Sequence, residues 1–358
     1  MQSFDVVVVG GGPAGAISAL KCSQLGFKTT LLEKGKQERH KTCGGVLPNI
    51  CSDLFQNIQL NIPAEVMCSP STIGLFYVPP SGKSKGGHLK GYRLLNVRRD
   101  KFDQWLRETA KTAGSEVLYD TELIDFKGNR KIEVLARVGE GIIKMSTRYL
   151  IGADGAYSTI RRHLYPDMVM NYLAILQEHW SAQGDFGEYF YAFFKGDVTN
   201  SYSYVIPKDG TLVIGTGLSP THDMKASDCM ARFKIWLGKE FQFEPVRLES
   251  REASAIPYGP VLCGRRNTIL VGDAAGFCNR LSGEGIRLAI ESAMAACEAI
   301  AETERIGDTL SSHYRTRVQL LAEFIQMTHE FAAGMTDNDR EEFVRSELTR
   351  MSFNTFRI

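Results

Sequence analysis

Glycines at positions 10, 12 and 15 and a carboxylate at 33 make up the arrangement best suited to chemistry in this chain. Such glycines serve a sharp turn, a close approach of backbone to a diphosphate, and tight packing of a helix on a strand. The run Gly10-Gly11-Gly12-Pro13-Ala14-Gly15 follows the β-branched stretch Val6-Val7-Val8-Val9 and opens a helical pattern over 16–25. Free amides and the positive dipole end of that helix favour an anion. Glu33 ends a second strand eighteen residues beyond Gly15, where it can accept hydrogen bonds from an adenosine ribose. Strand, turn, helix, strand and acid in this order point to a bound dinucleotide. A bare glycine turn in a parallel sheet gives no reason for the acid.

Two later stretches repeat the logic of an apolar strand ending in chemistry. Residues 150–161 read L-I-G-A-D-G-A-Y-S-T-I-R, with Asp154 and Ser158 placed to cap a following helix. Residues 269–275 read I-L-V-G-D-A-A, and Gly283 and Gly285 then open an Ala-rich helix from Ile286. An acid at a strand end, here Asp273, can hold a sugar-alcohol hydroxyl, and a glycine-flanked helix start can face an electron-rich carbonyl. Cys43, beside Gly44 and Gly45, is a thiol that can approach a ring closely or simply fill a tight turn. Arg161 and Arg162 can meet phosphate or lie on a helix surface. Tyr202 and Tyr204 share strand parity and hence one face, as a pocket wall or as core.

The elements that position these residues read as α/β. Residues 99–111 form an amphipathic helix with Phe102, Trp105 and Leu106 on one side, followed by strands near 115–125 and 131–150. Residues 70–95 are an excursion rich in Gly, Pro and Ser, and 170–220 are aromatic and alternating, as in an antiparallel sheet with a covered face. Strand-then-helix returns at 267, and the chain is helical after 305.

Composition excludes several classes. Lys and Arg number 42 against 41 Asp and Glu, so the chain lacks the field of a general nucleic-acid binder. With 19 Phe, 13 Tyr and 3 Trp it has ample surface to bury and is not disordered. It lacks a span of 18 apolar residues, hence a transmembrane segment, and its start does not read as a secretory leader. Eight scattered cysteines without C-x-x-C or zinc spacing predict reduced thiols, no metal and a cytoplasmic protein. The mixed charges of the C-terminal helices give no basic face for a membrane, although peripheral contact with one stays open, as does the oligomeric state.

GxGxxG at 10–15, GADGxxSxxR at 152–161 and GDAA at 272–275 together resemble the para-hydroxybenzoate-hydroxylase-like FAD oxidoreductases. Within them the chain is most similar to the geranylgeranyl-reductase group, including its short bacterial CbrA-type subset, on K-T-C-G-G-V-L at 41–47, R-R-H-L-Y-P-D at 161–167 and Y-S-Y-V-I-P-K at 202–208. The resemblance implies a Rossmann-like three-layer FAD-binding domain over 1–70, 96–167 and 256–305. An interleaved antiparallel substrate domain follows over 71–95 and 168–255, with a C-terminal helical segment over 306–358. It implies that Gly10, Gly12, Pro13, Ala14, Gly15, Glu33 and Lys34 hold the ADP half of FAD, with Arg99 on the phosphate side and Leu123 among the cofactor contacts. It further implies that Asp273 binds the ribityl chain, that Gly283, Gly285 and Ile286 meet the flavin, and that Cys43, Gly44 and Gly45 border it. Cys43 is then a candidate catalytic group, and Tyr202, Tyr204 and Pro207 candidate substrate contacts. Tyr204 stands where the group carries Trp, Ile206 where it carries Phe, and Arg280 where it carries Pro.

The expected activity is reduction of a carbon–carbon double bond in an isoprenoid or other hydrophobic substrate, by hydride transfer from flavin N5. Without a second dinucleotide fingerprint, electrons come from transient NADPH or a small redox protein. The rivals are an aromatic hydroxylase, a halogenase, whose W-x-W-x-I-P motif lacks both tryptophans here, and a flavin-binding protein without turnover.

Overall fold

Val6, Val7 and Val8 have no exposed surface, as an apolar strand covered on both faces requires. A computed structural model of the chain, describing residues 1–220 and 223–349, places them in the strand Gln2–Val9. The strand lies in parallel between Thr29–Leu32 and Gly141–Gly152, with Glu116–Leu118 and Thr268–Leu270 parallel on the outer sides. Val9 is level with Leu32 on one neighbour and Gly152 on the other, and Gly152 is level with Leu270. Four strands thus finish together, and the segments beginning at Gly10, Glu33, Ala153 and Val271 emerge at one edge of the sheet. Helices Pro13–Gln24 and Ile286–Ile306 pack against each other, with Cys22 Sγ 3.5 Å from Cys297 Sγ.

The chain divides into two compact units, each assembled from three segments. Of the described residues, one comprises 1–40, 100–170 and 257–327, and the other those within 41–99, 171–256 and 328–349. The boundaries differ from those read in the sequence over 41–70, which the strand Val46–Pro48 carries into the second sheet by pairing with Leu94–Val97. They differ again at the C-terminus, where 306–327 and 328–349 join different units. Residues 350–358 of that expected segment lie outside the described residues.

The second unit is built on strands Asn171–Gln183, Thr211–Leu218, Ser203–Lys208, Tyr189–Phe193 and Met67–Val78, antiparallel except for the last pair. Side chains alternate between faces along each strand. Tyr191, Phe193 and Val205 go beneath the helix Ala226–Phe241, where Phe193 meets Phe233 at 5.1 Å and Trp236 at 5.4 Å. Phe190, Tyr204 and Ile206 go to the other face with Ile73 and Leu75. The helix Asp337–Thr349 adds Val344 beside Ala192 and Phe194, and its buried Arg340 donates to Thr199 O at 3.2 Å. Among the described residues, no helix is long and apolar enough to cross a membrane.

A buried carboxylate secures the helix-covered face. Glu178 is 1% exposed and accepts from Trp180 Nε1 at 2.8 Å, Lys234 Nζ at 3.0 Å and Arg251 Nε at 2.9 Å. Burial acts to raise its pKa, but these donors outweigh it and hold the carboxyl below the usual glutamate range. The folded state therefore binds this proton less readily than the unfolded chain. The resulting stability is complete above about pH 4.3 and is lost as pH falls through the lowered value. Urea midpoints measured over that acidic window should fall more steeply for the wild type than for Glu178→Gln, and parallel curves would refute the assignment. Phe193→Ala should cost about 3–5 kcal/mol in the same assay, against under about 0.5 kcal/mol for exposed Ile235→Ala.

Candidate cofactor and active site

The glycine turn can exist only as glycine. Gly10 has φ of +103°, and a Cβ there would lie 2.7 Å from Ala153 C, while a Cβ on Gly15 would overlap Gly10 O. Gly12 caps the helix Pro13–Gln24 without a side-chain acceptor, and Pro13 occupies its first turn, which needs no backbone donor there. Glu33 is 3% exposed; its Oε2 accepts from Gly11 N at 2.8 Å and its Oε1 from Gly35 N at 2.7 Å. Lys34 is exposed, and Arg39 instead closes on Glu33, with Nε 3.1 Å from Oε2. Arg39 Nη2 is also 3.6 Å from Asp103 Oδ2.

Sequence reasoning missed Arg107 and gave no role to Asp103, the last residue of the V-x-R-x-x-F-D pattern at 97–103 that assigns Arg99, although their spacing of four on the helix Arg99–Thr112 puts them on one face. Arg107 is fully buried, donating to Gly11 O at 2.9 Å and Gln37 O at 2.7 Å. Arg161 does not lie on the helix surface. It is 3% exposed and donates to Ala274 O at 2.9 Å, Asp273 O at 3.2 Å and Ala156 O, tying the GDAA segment to the GADG segment. The expected caps are present. Asp154 Oδ2 accepts from Thr159 N at 2.7 Å and Ser158 Oγ from Arg161 N at 2.9 Å, while Asp154 Oδ1 is buried without a hydrogen-bond partner.

Asp273 lies in the turn Gly272–Ala274 at the same sheet edge, and a Cβ on Gly285 would stand 3.5 Å from its Oδ1. Gly283 has φ of +68°, and Gly285 caps the helix from Ile286, again without a side-chain acceptor. Leu123 is buried in the strand Thr121–Lys127. Two glycine-capped helix starts, a glycine cradle that any Cβ would fill, a partnered ribose-type carboxylate and an orphaned Asp154 oxygen fit the diphosphate and sugars of a dinucleotide.

In the second unit, Cys43 Sγ accepts from Gly45 N at 3.4 Å, and Gly45 holds φ of +64°. A Cβ on Gly44 would lie 2.7 Å from Ile206 Cδ1, so this turn rests on the aromatic face. Lys208 fastens it from beneath: Nζ donates to Asn96 Oδ1 at 2.6 Å, Val97 O at 2.8 Å, Gly45 O at 3.4 Å and Cys68 Sγ at 3.4 Å. Burial pushes this ammonium below the usual lysine range. Arg99 is buried, with its Cγ 3.3 Å from where a Gly45 Cβ would stand. Tyr202 and Tyr204 both join the cluster around Ile206, as their shared parity predicts. Pro207 does not accompany them, because alternation turns it to the face of Val205.

The FAD binding domain family matches residues 3–327. The chain belongs to this family. Protein CbrA of Escherichia coli K12 is 32% identical over 305 residues, covering 82% of this chain and 82% of CbrA, and its counterpart in Shigella sonnei is 32% identical over 308. Among solved structures, a geranylgeranyl bacteriochlorophyll reductase-like protein from Thermoplasma acidophilum has a TM-score of 0.84 at 22% identity, covering 98% of this chain and 92% of its own. The flavin-dependent halogenase CmlS gives 0.72 at 20% identity, covering 92% and 64%. The p-nitrophenol 4-monooxygenase PnpA of Pseudomonas putida gives 0.71 at 15%, covering 97% and 95%. The family identifies the dinucleotide as FAD and the protein as an FAD-dependent oxidoreductase.

Arg161→Met should leave carbonyls unsatisfied, lower stability by about 3 kcal/mol and reduce the flavin retained through gel filtration. Unchanged melting and flavin content would remove Arg161 from the site.

Proposed function

We propose that this oxidoreductase saturates a carbon–carbon double bond in an isoprenoid or similar hydrophobic substrate. The observation that carries the reading is the seating of the Cys43-Gly44-Gly45 turn on a face built from Ile206, Tyr204, Phe190 and Tyr202. A chain-like apolar substrate matches such a surface, and aromatic rings contribute large contact area to it. Reduced FAD supplies the hydride when bound.

The chain's own residues bind and orient. Gly10, Gly12, Pro13, Ala14 and Gly15 give backbone access to the diphosphate, with Arg99 on the phosphate side. Glu33, with Arg39 beside it in place of the expected Lys34, takes the adenosine ribose. Asp273 holds the ribityl hydroxyls, and Gly283, Gly285 and Ile286 present amides to the ring, with Leu123 as an apolar cofactor contact. Cys43 holds the substrate or passes the proton that must reach the carbon next to the one receiving hydride. Lys208 keeps the turn that carries Cys43 in place. Tyr202 and Tyr204 line the substrate side; Pro207 contributes through its backbone, accepting from Asn96 Nδ2 at 3.0 Å. NADPH bound transiently, or a small redox protein, would supply the electrons. The similarity to a geranylgeranyl bacteriochlorophyll reductase-like fold supports this reading.

The test is anaerobic incubation of the photoreduced protein with polyprenyl alcohols, read by mass spectrometry. Addition of two hydrogens, with Cys43→Ala lowering the rate at least about tenfold, is the expected result. No mass change, together with oxygen incorporation into an aromatic compound in air, would establish a hydroxylase instead.

A further inference from the structure

Tyr204 lies within an apolar cluster, yet its hydroxyl belongs to a polar row that crosses three strands. The register sets Gly215 opposite Tyr204 on one side and opposite Gln177 on the other. A Cβ on Gly215 would overlap the Tyr204 ring, so only glycine lets that ring lie across the middle strand. Tyr204 Oη thereby donates to Gln177 Oε1 at 2.8 Å, and Gln177 Nε2 lies 2.9 Å from His179 Nε2. Gln177 and His179 are two residues apart and share a face. The row runs inward from a partly exposed imidazole, through an amide that is 1% exposed, to a phenol that is 7% exposed.

An amide has one donating and one accepting end, so the row has two self-consistent settings. While His179 Nε2 carries no proton, the amide NH₂ donates to it and the amide oxygen takes the phenolic proton, which leaves the phenol an acceptor. Once Nε2 is protonated, the amide turns its oxygen to the imidazole and its NH₂ to the phenol. The phenolic proton is then free for another acceptor. Glu252 Oε1, 3.7 Å from Nε2, and apolar Val213 on the adjoining strand are among the groups facing the imidazole. Glu178, with Lys234 and Arg251, is on the opposite face, while Tyr202 and Cys43 are the ionisable groups that bear on the phenol besides Glu252.

We propose that Tyr204 is a specificity-determining residue that offers a hydrogen-bonding point on this apolar face, and that His179, a positioning residue acting through Gln177, sets its sense. The substrate class is an apolar chain bearing an oxygen function: an alcohol is preferred while His179 Nε2 is unprotonated, and a carbonyl once Nε2 is protonated. This role rests on the proposed function, which gives this face to the substrate. The steering itself does not.

The steering is read by NMR on FAD-loaded protein labelled with ¹³Cζ-tyrosine and ring-¹⁵N-histidine, with Tyr204→Phe assigning the tyrosine signal. Between about pH 5 and 8 the Tyr204 resonance should move together with the His179 nitrogens. Gln177→Leu should abolish that movement while His179 still titrates, and His179→Asn should flatten it. A Tyr204 signal indifferent to pH, or one still moving with pH in either variant, overturns the steering. Binding is read with geranylgeraniol, geranylgeranial and the corresponding hydrocarbon. The alcohol should bind about fivefold tighter than the aldehyde at the alkaline end, and the preference should reverse at the acidic end. Tyr204→Phe should equalise the two without changing hydrocarbon affinity. Equal binding to the wild type overturns the specificity role. Failure of all three to bind, with the NMR coupling intact, sinks the isoprenoid reading and leaves the steering standing.

Discussion

The common finishing line of four parallel strands is the constraint on which the cofactor site depends. Because Val9, Leu32, Gly152 and Leu270 end level, the backbone leaves the sheet at one edge in four places. Residues from four distant segments then meet without any loop having to find its target: the glycine turn, Glu33, the Asp154 cap and Asp273. Hydrogen bonds seal the exits, as Gly10 N donates to Leu32 O at 2.7 Å, Ala153 N to Val9 O at 2.8 Å and Val271 N to Gly152 O at 3.0 Å. A slip of one residue in any of these strands would move its end out of line and break these exit hydrogen bonds.

Around that edge, buried cations do much of the joining. Arg107 and Arg161 donate to main-chain carbonyls of separate segments; in the second unit Lys208 likewise donates to Gly45 O and Val97 O. A guanidinium with five fixed donors suits such a junction, and hydrogen bonds from a charged donor are stronger than neutral ones. In each case the residue organises a turn beside the sheet edge or beneath Cys43, Arg107 from outside the quoted motifs and Arg161 and Lys208 from their last positions.

This difference explains what was legible in the sequence. The α/β class, the parallel core and the turns at the sheet edge were readable because a glycine requirement or a strand-end acid leaves a local signature, as at Gly10, Gly15, Glu33 and Asp273. Parity alone placed Tyr202 and Tyr204 on one face, and applied to Pro207 it would have excluded that residue. The anchoring roles of Arg107 and Arg161 were not legible, because their partners are main-chain carbonyls, which every residue possesses and no sequence displays; that of Lys208 depends on Asn96, Val97 and Cys68, which only the fold brings beside it. The row from Tyr204 to His179 was hidden for a related reason: it depends on Gly215, whose meaning emerges only when three strands are aligned. The placement of residues 41–70 was not legible because a three-residue strand, Val46–Pro48, decides their pairing.

The division of each unit into three chain segments bears on how the protein is made. The strand Thr268–Leu270 and the turn bearing Asp273 leave the ribosome only after about three-quarters of the chain, so the earlier strands must wait with one flank of their sheet open. A nascent or truncated chain ending before that point has the glycine turn and the acid at 33 but lacks the strand that completes their edge. Coenzyme capture is therefore a late event in biosynthesis, and a prematurely terminated product would be expected to emerge without colour.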